Sequence, residues 1–157
     1  MWTEGGQGEA EWGRVRQGGF TLIEILVVIA VIAILAGIVT PLVFRNVGDA
    51  KVSSARAQIE ILATALDSYR LDNDYYPSTA QGLAALRSKP IGQPKVANWR
   101  GPYIRKDVPD DPWKNPYLYL SPGKVNSDSY DLLSLGRDGQ PGGEGEDADI
   151  TSWGSGE

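Results

Sequence analysis

From Ile25 to Val39 every position is apolar or glycine, and the apolar run continues through Pro41 to Phe44. A segment with no polar face is not the surface helix of a soluble domain. About 25 residues at about 1.5 Å each make roughly 37 Å of helix, which is longer than the hydrocarbon core of a bilayer at about 30 Å. The pattern therefore predicts a membrane-inserted helix. Pro41, one turn after Gly37, lacks an amide hydrogen and clashes with the carbonyl four residues earlier. It predicts a bend or local melting, or else marks the exit from the membrane. From Arg45 the pattern changes. Val52, Ala55, Ile59, Leu62, Leu66 and Tyr69 recur at spacings of three and four, a single apolar stripe, while Asp49, Lys51, Arg56, Glu60, Asp67 and Arg70 occupy much of the remainder. One helix from about Phe20 to about Leu71 follows, apolar all round in its first half and on one face in its second.

Asn73-Asp74-Tyr75-Tyr76-Pro77 ends that helix with turn formers and a proline. Ser78-Thr79-Ala80-Gln81 has the form of a capping box and predicts a short second helix through about Arg87. Lys89–Asn98, with Pro90, Gly92 and Pro94, reads as loop. Tyr117–Leu120 and Tyr130–Leu135 are short runs of aromatic and branched residues separated by Ser121-Pro122-Gly123 and Asn126-Ser127-Asp128, the pattern of an antiparallel hairpin. Ile150–Trp153 offers a third strand. The fold class is α+β: a long N-terminal helix packed, by its amphipathic half, on a small head with a short helix and a small antiparallel sheet.

Composition narrows the chemistry. The chain has 157 residues and a net charge of −5, with no histidine and no cysteine. That length allows one domain beside the membrane segment. The acidic balance argues against nucleic acid, whose phosphates need clustered Lys and Arg. Without cysteine there is no disulfide framework, and without histidine the commonest general base and metal ligand is missing. Asp110-Asp111, beside Pro109 and Pro112, reads as turn and cap carboxylates rather than a catalytic pair.

Glu24 stands at the mouth of the apolar run. An acid at the centre of a membrane helix costs on the order of 2.5–3.5 kcal/mol, less near an end. Either Glu24 sits solvated at the headgroups or it gains a positive partner on assembly. Cleavage between Gly19 and Phe20 would free an α-amino group one helical turn from Glu24, and that amine could pair with the Glu24 of a neighbouring subunit. Met1–Gly19 is mixed in charge, with Glu4, Glu9 and Glu11 before Arg14 and Arg16. Val15–Gly19 alone would make a short basic leader if translation started near Val15. A secretory signal peptide, cleaved near Ala33-Ile34-Leu35-Ala36, is the competing reading. An acid opening its apolar core and a barely basic n-region argue against it.

Gly19-Phe20-Thr21-Leu22-Ile23-Glu24, followed by the unbroken apolar run, resembles the class III signal of type IV pilin-like proteins. The resemblance implies cleavage after Gly19 by a membrane aspartyl peptidase, N-methylation of Phe20, and a role for Phe20 and Glu24 in assembly. It also favours a stretched or unwound helix near Pro41. It divides the chain into a leader, 1–19, a transmembrane and filament-core helix, 20–44, and a periplasmic head, 45–157.

The glycine-rich acidic stretch from Leu135 to Ile150 is the second informative site. Asp138, Glu144, Glu146, Asp147 and Asp149 lie among five glycines. Calcium takes six to eight oxygens from carboxylates and carbonyls, and glycine lets carbonyls turn inward. The spacing is not that of an EF-hand, and a solvated acidic loop is the plainer reading of it. Here too a resemblance bears on the choice. Tyr75-Tyr76-Pro77, Gln81-Gly82-Leu83, Trp99-Arg100-Gly101-Pro102-Tyr103, Asp110-Asp111-Pro112-Trp113, Ser134-Leu135-Gly136 and Asp138-Gly139 are similar to segments of the major pseudopilins of type II secretion systems. That family implies one structural calcium ion, with Asp138 as side-chain ligand, Leu135 as carbonyl donor, and Asp147 and Asp149 as partners.

The resemblance further implies a structural subunit, not an enzyme. Such a subunit inserts in the bacterial inner membrane with its head in the periplasm. It polymerises into a short helical filament, a homo-oligomer, that drives folded proteins through the outer membrane. Its expected partners are membrane lipid before assembly, the prepilin peptidase, minor pseudopilins, an inner-membrane platform with its ATPase, and the outer-membrane secretin. Two alternatives stand beside it. One is a type IV pilin for adhesion, motility or DNA uptake, though such subunits often carry a C-terminal disulfide. The other is a membrane-anchored or secreted soluble domain that uses the apolar run for targeting only.

Overall fold

A computed structural model describes residues 19–154, apart from the side chains of Pro41 and Leu42. The leader residues 1–18 lie outside the described part. A single helix, α1, spans Leu22–Asn73. The chain divides into two compact units between Thr40 and Pro41, within the backbone bounds of α1.

In the first unit α1 is apolar and uncovered. Its most hydrophobic 18-residue window has a mean hydropathy of 3.2, and none of that window is buried among the described residues. Length and composition suffice for a membrane span.

In the second unit α1 supplies one wall of the core. Ala55, Ile59, Leu62, Leu66 and Tyr69, the stripe expected from the sequence, are buried, with Val52 partly buried at its start. They meet Leu83, Ala85 and Leu86, then Val96, Tyr117, Tyr130, Leu132 and Ile150 from the rest of the head. Each fully buried large side chain contributes about 1.5–3 kcal/mol of transfer free energy. The helix stops where Asp74 takes a left-handed conformation (φ 68°) and its amide donates to the Arg70 carbonyl at 2.7 Å. This is an αL cap built without glycine.

The second helix is shorter than expected. Ser78 and Gln81 do close a reciprocal capping box: the Gln81 amide donates to Ser78 Oγ at 3.3 Å, and the Ser78 amide to Gln81 Oε1 at 3.0 Å. It caps a turn rather than an α-helix. Gly82, at φ 60°, redirects the chain, and only one 3₁₀ turn, Leu83–Leu86, follows. Three of its four residues are buried, so packing rather than helix length is what this segment satisfies.

The sheet is antiparallel, with β1 (Leu118–Leu120), β2 (Asp131–Ser134) and β3 (Ile150–Thr151) in that order. Leu118 faces Leu133 and Leu120 faces Asp131 across β1 and β2, while Ser134 faces Ile150 across β2 and β3. The β1–β2 connection is wound around the buried Asp131 carboxylate. It accepts the amides of Lys124 at 2.6 Å, Val125 at 2.9 Å and Asn126 at 3.0 Å. The long β2–β3 connection is the acidic loop.

Candidate functional site: the helix N-terminus and the acidic loop

The two expected sites fall in different units of the chain, the start of α1 in the first and the acidic loop in the second. At the start of α1, Gly19 is exposed and the Phe20 side chain is 78% exposed. Thr21 caps the helix. The Glu24 amide donates to Thr21 Oγ1 at 3.2 Å, and the Thr21 amide donates back to Glu24 Oε2 at a long 3.5 Å. Thr21 and Glu24 thus form a capping box, with the carboxylate at the positive end of the helix dipole. Within one chain, Glu24 therefore already has a polar partner. The T-x-x-E spacing carries this signal, and a reading centred on Glu24 as an isolated acid passed over it.

The acidic loop is fixed at its start by the turn around Asp111. This carboxylate is 1% exposed. Its Oδ1 accepts the amides of Trp113 at 3.0 Å and Asn115 at 2.8 Å, and its Oδ2 accepts the Ser134 hydroxyl at 2.5 Å. It is the turn former expected from its neighbours. Asn115 Nδ2 then donates to the Gly136 carbonyl at 2.7 Å, which ties that turn to the end of β2. Gly136 has φ 66°, and a Cβ there would lie 2.7 Å from the Glu146 carbonyl and 2.9 Å from that of Ala148. Only glycine lets the two ends of the loop approach so closely.

Leu135 directly follows β2, at the head of this loop. Asp138 and Asp149 fold over the same glycine-rich turn: Asp138 Oδ1 accepts the Gln140 amide at 3.0 Å, and Asp149 Oδ2 accepts the Gly142 amide at 3.0 Å. Asp149 Oδ1 is buried and has no hydrogen-bond partner. Asp147 is placed differently. Its two oxygens are gripped by Arg137, at 2.8 Å from Nε and 2.8 Å from Nη2. That paired carboxylate holds the guanidinium pKa above its ordinary value. Glu146 accepts Trp113 Nε1–H at 3.1 Å and lies 3.4 Å from Arg137 Nη1. These two acids lie within a 3₁₀ turn, Gly145–Asp147, and Asp149 follows it directly before β3. Among the described residues no group of three or more His, Cys, Asp or Glu side chains converges on one point. Side chains alone do not build a cation cage here, and any cation held by Asp138 and Asp149 needs main-chain carbonyls as well. Arg137 and Trp113 were not singled out by the sequence, because nothing in local spacing pairs them with acids nine and 33 residues away.

Comparison with known proteins finds matches to both parts of the chain. Residues 14–40 match the prokaryotic N-terminal methylation motif, and residues 42–153 match the family described as type II secretion system (T2SS), protein G. The type II secretion system core protein G of Pseudomonas aeruginosa is 51% identical over 140 residues, covering 89% of this chain and 97% of that protein. Its counterpart in Vibrio cholerae is 48% identical over 139 residues, covering 88% and 92%. The crystal structure of the major pseudopilin from the type 2 secretion system of enterohaemorrhagic Escherichia coli superposes with a TM-score of 0.58 at 42% identity, covering 69% of this chain and 90% of that one. Matched over most of its length in sequence and in fold, the chain belongs to the type II secretion system protein G family, the major pseudopilins.

Proposed function

We propose that this structural subunit of the pseudopilus assembles by moving its apolar helix out of lipid and into a bundle of identical helices. The observation that carries the reading is an apolar helical segment that no other described residue buries, opening on a carboxylate. In water, hiding that surface would gain about 25 cal/mol per Å². From lipid the gain is much smaller, since the acyl chains are already apolar. Lifting a subunit into the filament therefore needs work from outside, supplied by an inner-membrane platform and its ATPase. The chain starts as a single-pass inner-membrane protein with its head in the periplasm. The prepilin peptidase cuts between Gly19 and Phe20 and methylates Phe20, and minor pseudopilins and the secretin complete the export route for folded proteins.

Glu24 gives the exchange its specificity. In the single chain it is satisfied by the Thr21 amide through a long hydrogen bond. A charged amine on a neighbouring Phe20 is a stronger partner, because it sets a full unit charge against the carboxylate where the Thr21 amide offers only a dipole at 3.5 Å. Glu24→Ala should abolish filaments while leaving the head folded and membrane-anchored. N-terminal sequencing of the mature protein should begin at N-methyl-Phe20. A mature chain that begins ahead of Phe20, or filaments formed normally by the Glu24→Ala variant, would overturn the reading.

We infer also that the acidic loop holds one calcium ion. The donor set fits: Asp138 and Asp149 flank one turn, and the buried Asp149 Oδ1 has no other partner. Leu135 would add its carbonyl, and Asp147 would join only on releasing Arg137. The ion would neutralise clustered carboxylates and cross-link the loop. At a hundred times its dissociation constant, calcium should stabilise the head by about 2.7 kcal/mol. Thermal unfolding in calcium against EGTA checks this, and Asp149→Asn should remove the difference. An unchanged melting temperature in the parent protein would exclude the ion.

A further inference from the structure

Glu146 has neighbours unlike those of Asp138 and Asp149. Its side chain lies against Gly48 of α1. A Cβ on Gly48 would come within 2.6 Å of Glu146 Oε1, 2.7 Å of Cδ and 2.9 Å of Cγ. Gly48 is buried, whereas the positions on either side of it, Val47 and Asp49, are exposed. One turn on along the same face, Lys51 and Val52 are partly buried, so Gly48 opens the stretch of α1 that the head covers. The other end of Glu146 is equally committed. Oε2 accepts Trp113 Nε1–H at 3.1 Å, Oε1 faces Arg137 Nη1 at 3.4 Å, and the main-chain carbonyl accepts the Arg137 amide at 2.8 Å. One residue thus joins the helix, the Asp111–Asn115 turn and the acidic loop.

A carboxylate with both oxygens engaged, lying against a helix backbone, is poorly placed to ligate a cation. We propose that Glu146 is a positioning residue, a strut that fastens the acidic loop to α1 at Gly48. Order imposed on the loop by a cation at Asp138 and Asp149 is thereby passed to the helix around Gly48. The second half of this proposal rests on the calcium reading above; the strut itself does not. The physical logic is that the strut is short. Glycine is the only residue whose surface leaves room for the Glu146 side chain at this depth, so the loop and this turn of the helix share one arrangement or lose it together.

The test uses the full chain in detergent micelles, with melting temperature and hydrogen exchange of the amides from Val47 to Val52 as readouts. Without calcium, Gly48→Ala should lower the melting temperature when Glu146 is present. In a Glu146→Ala background the same change should be neutral or raise it, because alanine favours helix over glycine once the clash is gone. Glu146→Gln, which keeps an acceptor for Trp113, should restore most of the stability lost in Glu146→Ala. Calcium should slow exchange at 47–52 several-fold in the parent protein. In Glu146→Ala it should still bind, read by terbium luminescence, but no longer slow exchange there. Trp113→Phe removes only the indole donor and should give the same uncoupling in part, which keeps the test open if Glu146→Ala does not fold. The proposal fails if Gly48→Ala costs the same with and without Glu146, or if calcium protects 47–52 undiminished in Glu146→Ala. It fails too if Glu146→Ala abolishes binding as Asp149→Asn does, since Glu146 would then be a ligand. If the parent protein binds no calcium, the calcium reading falls alone, and the cation-free Gly48/Glu146 cycle decides the strut.

Discussion

Asp131 shows how much a single buried acid can organise. It is 2% exposed, and burial by itself would raise its pKa. The amides of Val125, Asn126 and Lys124, with the Asn126 side chain, outweigh that and hold the carboxyl below its ordinary range. A depressed folded pKa means that the group stabilises the fold above its unfolded value of about 4. That contribution is lost as the pH falls through the folded pKa. Asp131→Asn should therefore cost about 2 kcal/mol at neutral pH, the scale of hydrogen bonds to a charged group. The gap from the parent should close as acid protonates Asp131, which urea unfolding at stepped pH can measure. A gap that stays constant down to the acid limit would mean that the charge contributes nothing. No sequence rule marks Asp131. Read along the chain it is one more acid opening a strand, and its partners become visible only when the connection from Lys124 to Asn126 folds back on it.

At the scale of elements, α1 was the most legible part. The spacing of Ala55, Ile59, Leu62, Leu66 and Tyr69 predicted a buried face, and those five residues are buried. A 3.6-residue repeat maps directly onto one side of a cylinder, so periodicity suffices. Leu66→Ala should cost about 2–5 kcal/mol, since Leu66 is 0% exposed and the cavity closes only partly. Leu71→Ala, at a site 85% exposed, should stay within about 0.5 kcal/mol of the parent. Chemical denaturation of the two variants side by side tests the assignment; equal losses would refute the packing. The hairpin and third strand were legible from alternating aromatic and branched residues between turns. The second helix was not. Its capping box formed as predicted, but Gly82 in a left-handed conformation and three burial-driven contacts left room for only one 3₁₀ turn.

At the scale of the whole head, the tyrosines report on packing collectively. Burial pushes Tyr69 and Tyr117 up to about 12, and it raises Tyr103, Tyr119 and Tyr130 as well. A raised folded pKa means that stability is intact below the ordinary value of about 10. It declines above that, as the unfolded chain sheds protons that the folded chain keeps. Alkaline titration should leave Tyr69, Tyr103, Tyr117, Tyr119 and Tyr130 still largely protonated at the ordinary tyrosine value of about 10. The five should ionise at higher pH, together with loss of the near-ultraviolet circular dichroism. Those five ionising at about pH 10, the ordinary value, with the dichroism intact would contradict the packing described. The acidic loop belongs to this scale too. The sequence marked its acids as a group but did not divide them. The fold sends Asp147 to Arg137, Glu146 to Trp113 and Gly48, and leaves Asp149 with a buried oxygen unpartnered.

The sequence by itself determined the features written in a local period or a contiguous motif: the apolar helix, its amphipathic continuation, the N-terminal methylation motif, and the family. Each needs only neighbours within one turn or a continuous run of residues. Tertiary structure alone decided which acid faces which partner, how far the second helix extends, and where the acidic loop meets α1. Those outcomes depend on contacts between residues up to about a hundred positions apart, as from Gly48 to Glu146, and such contacts exist only once the chain has folded back on itself.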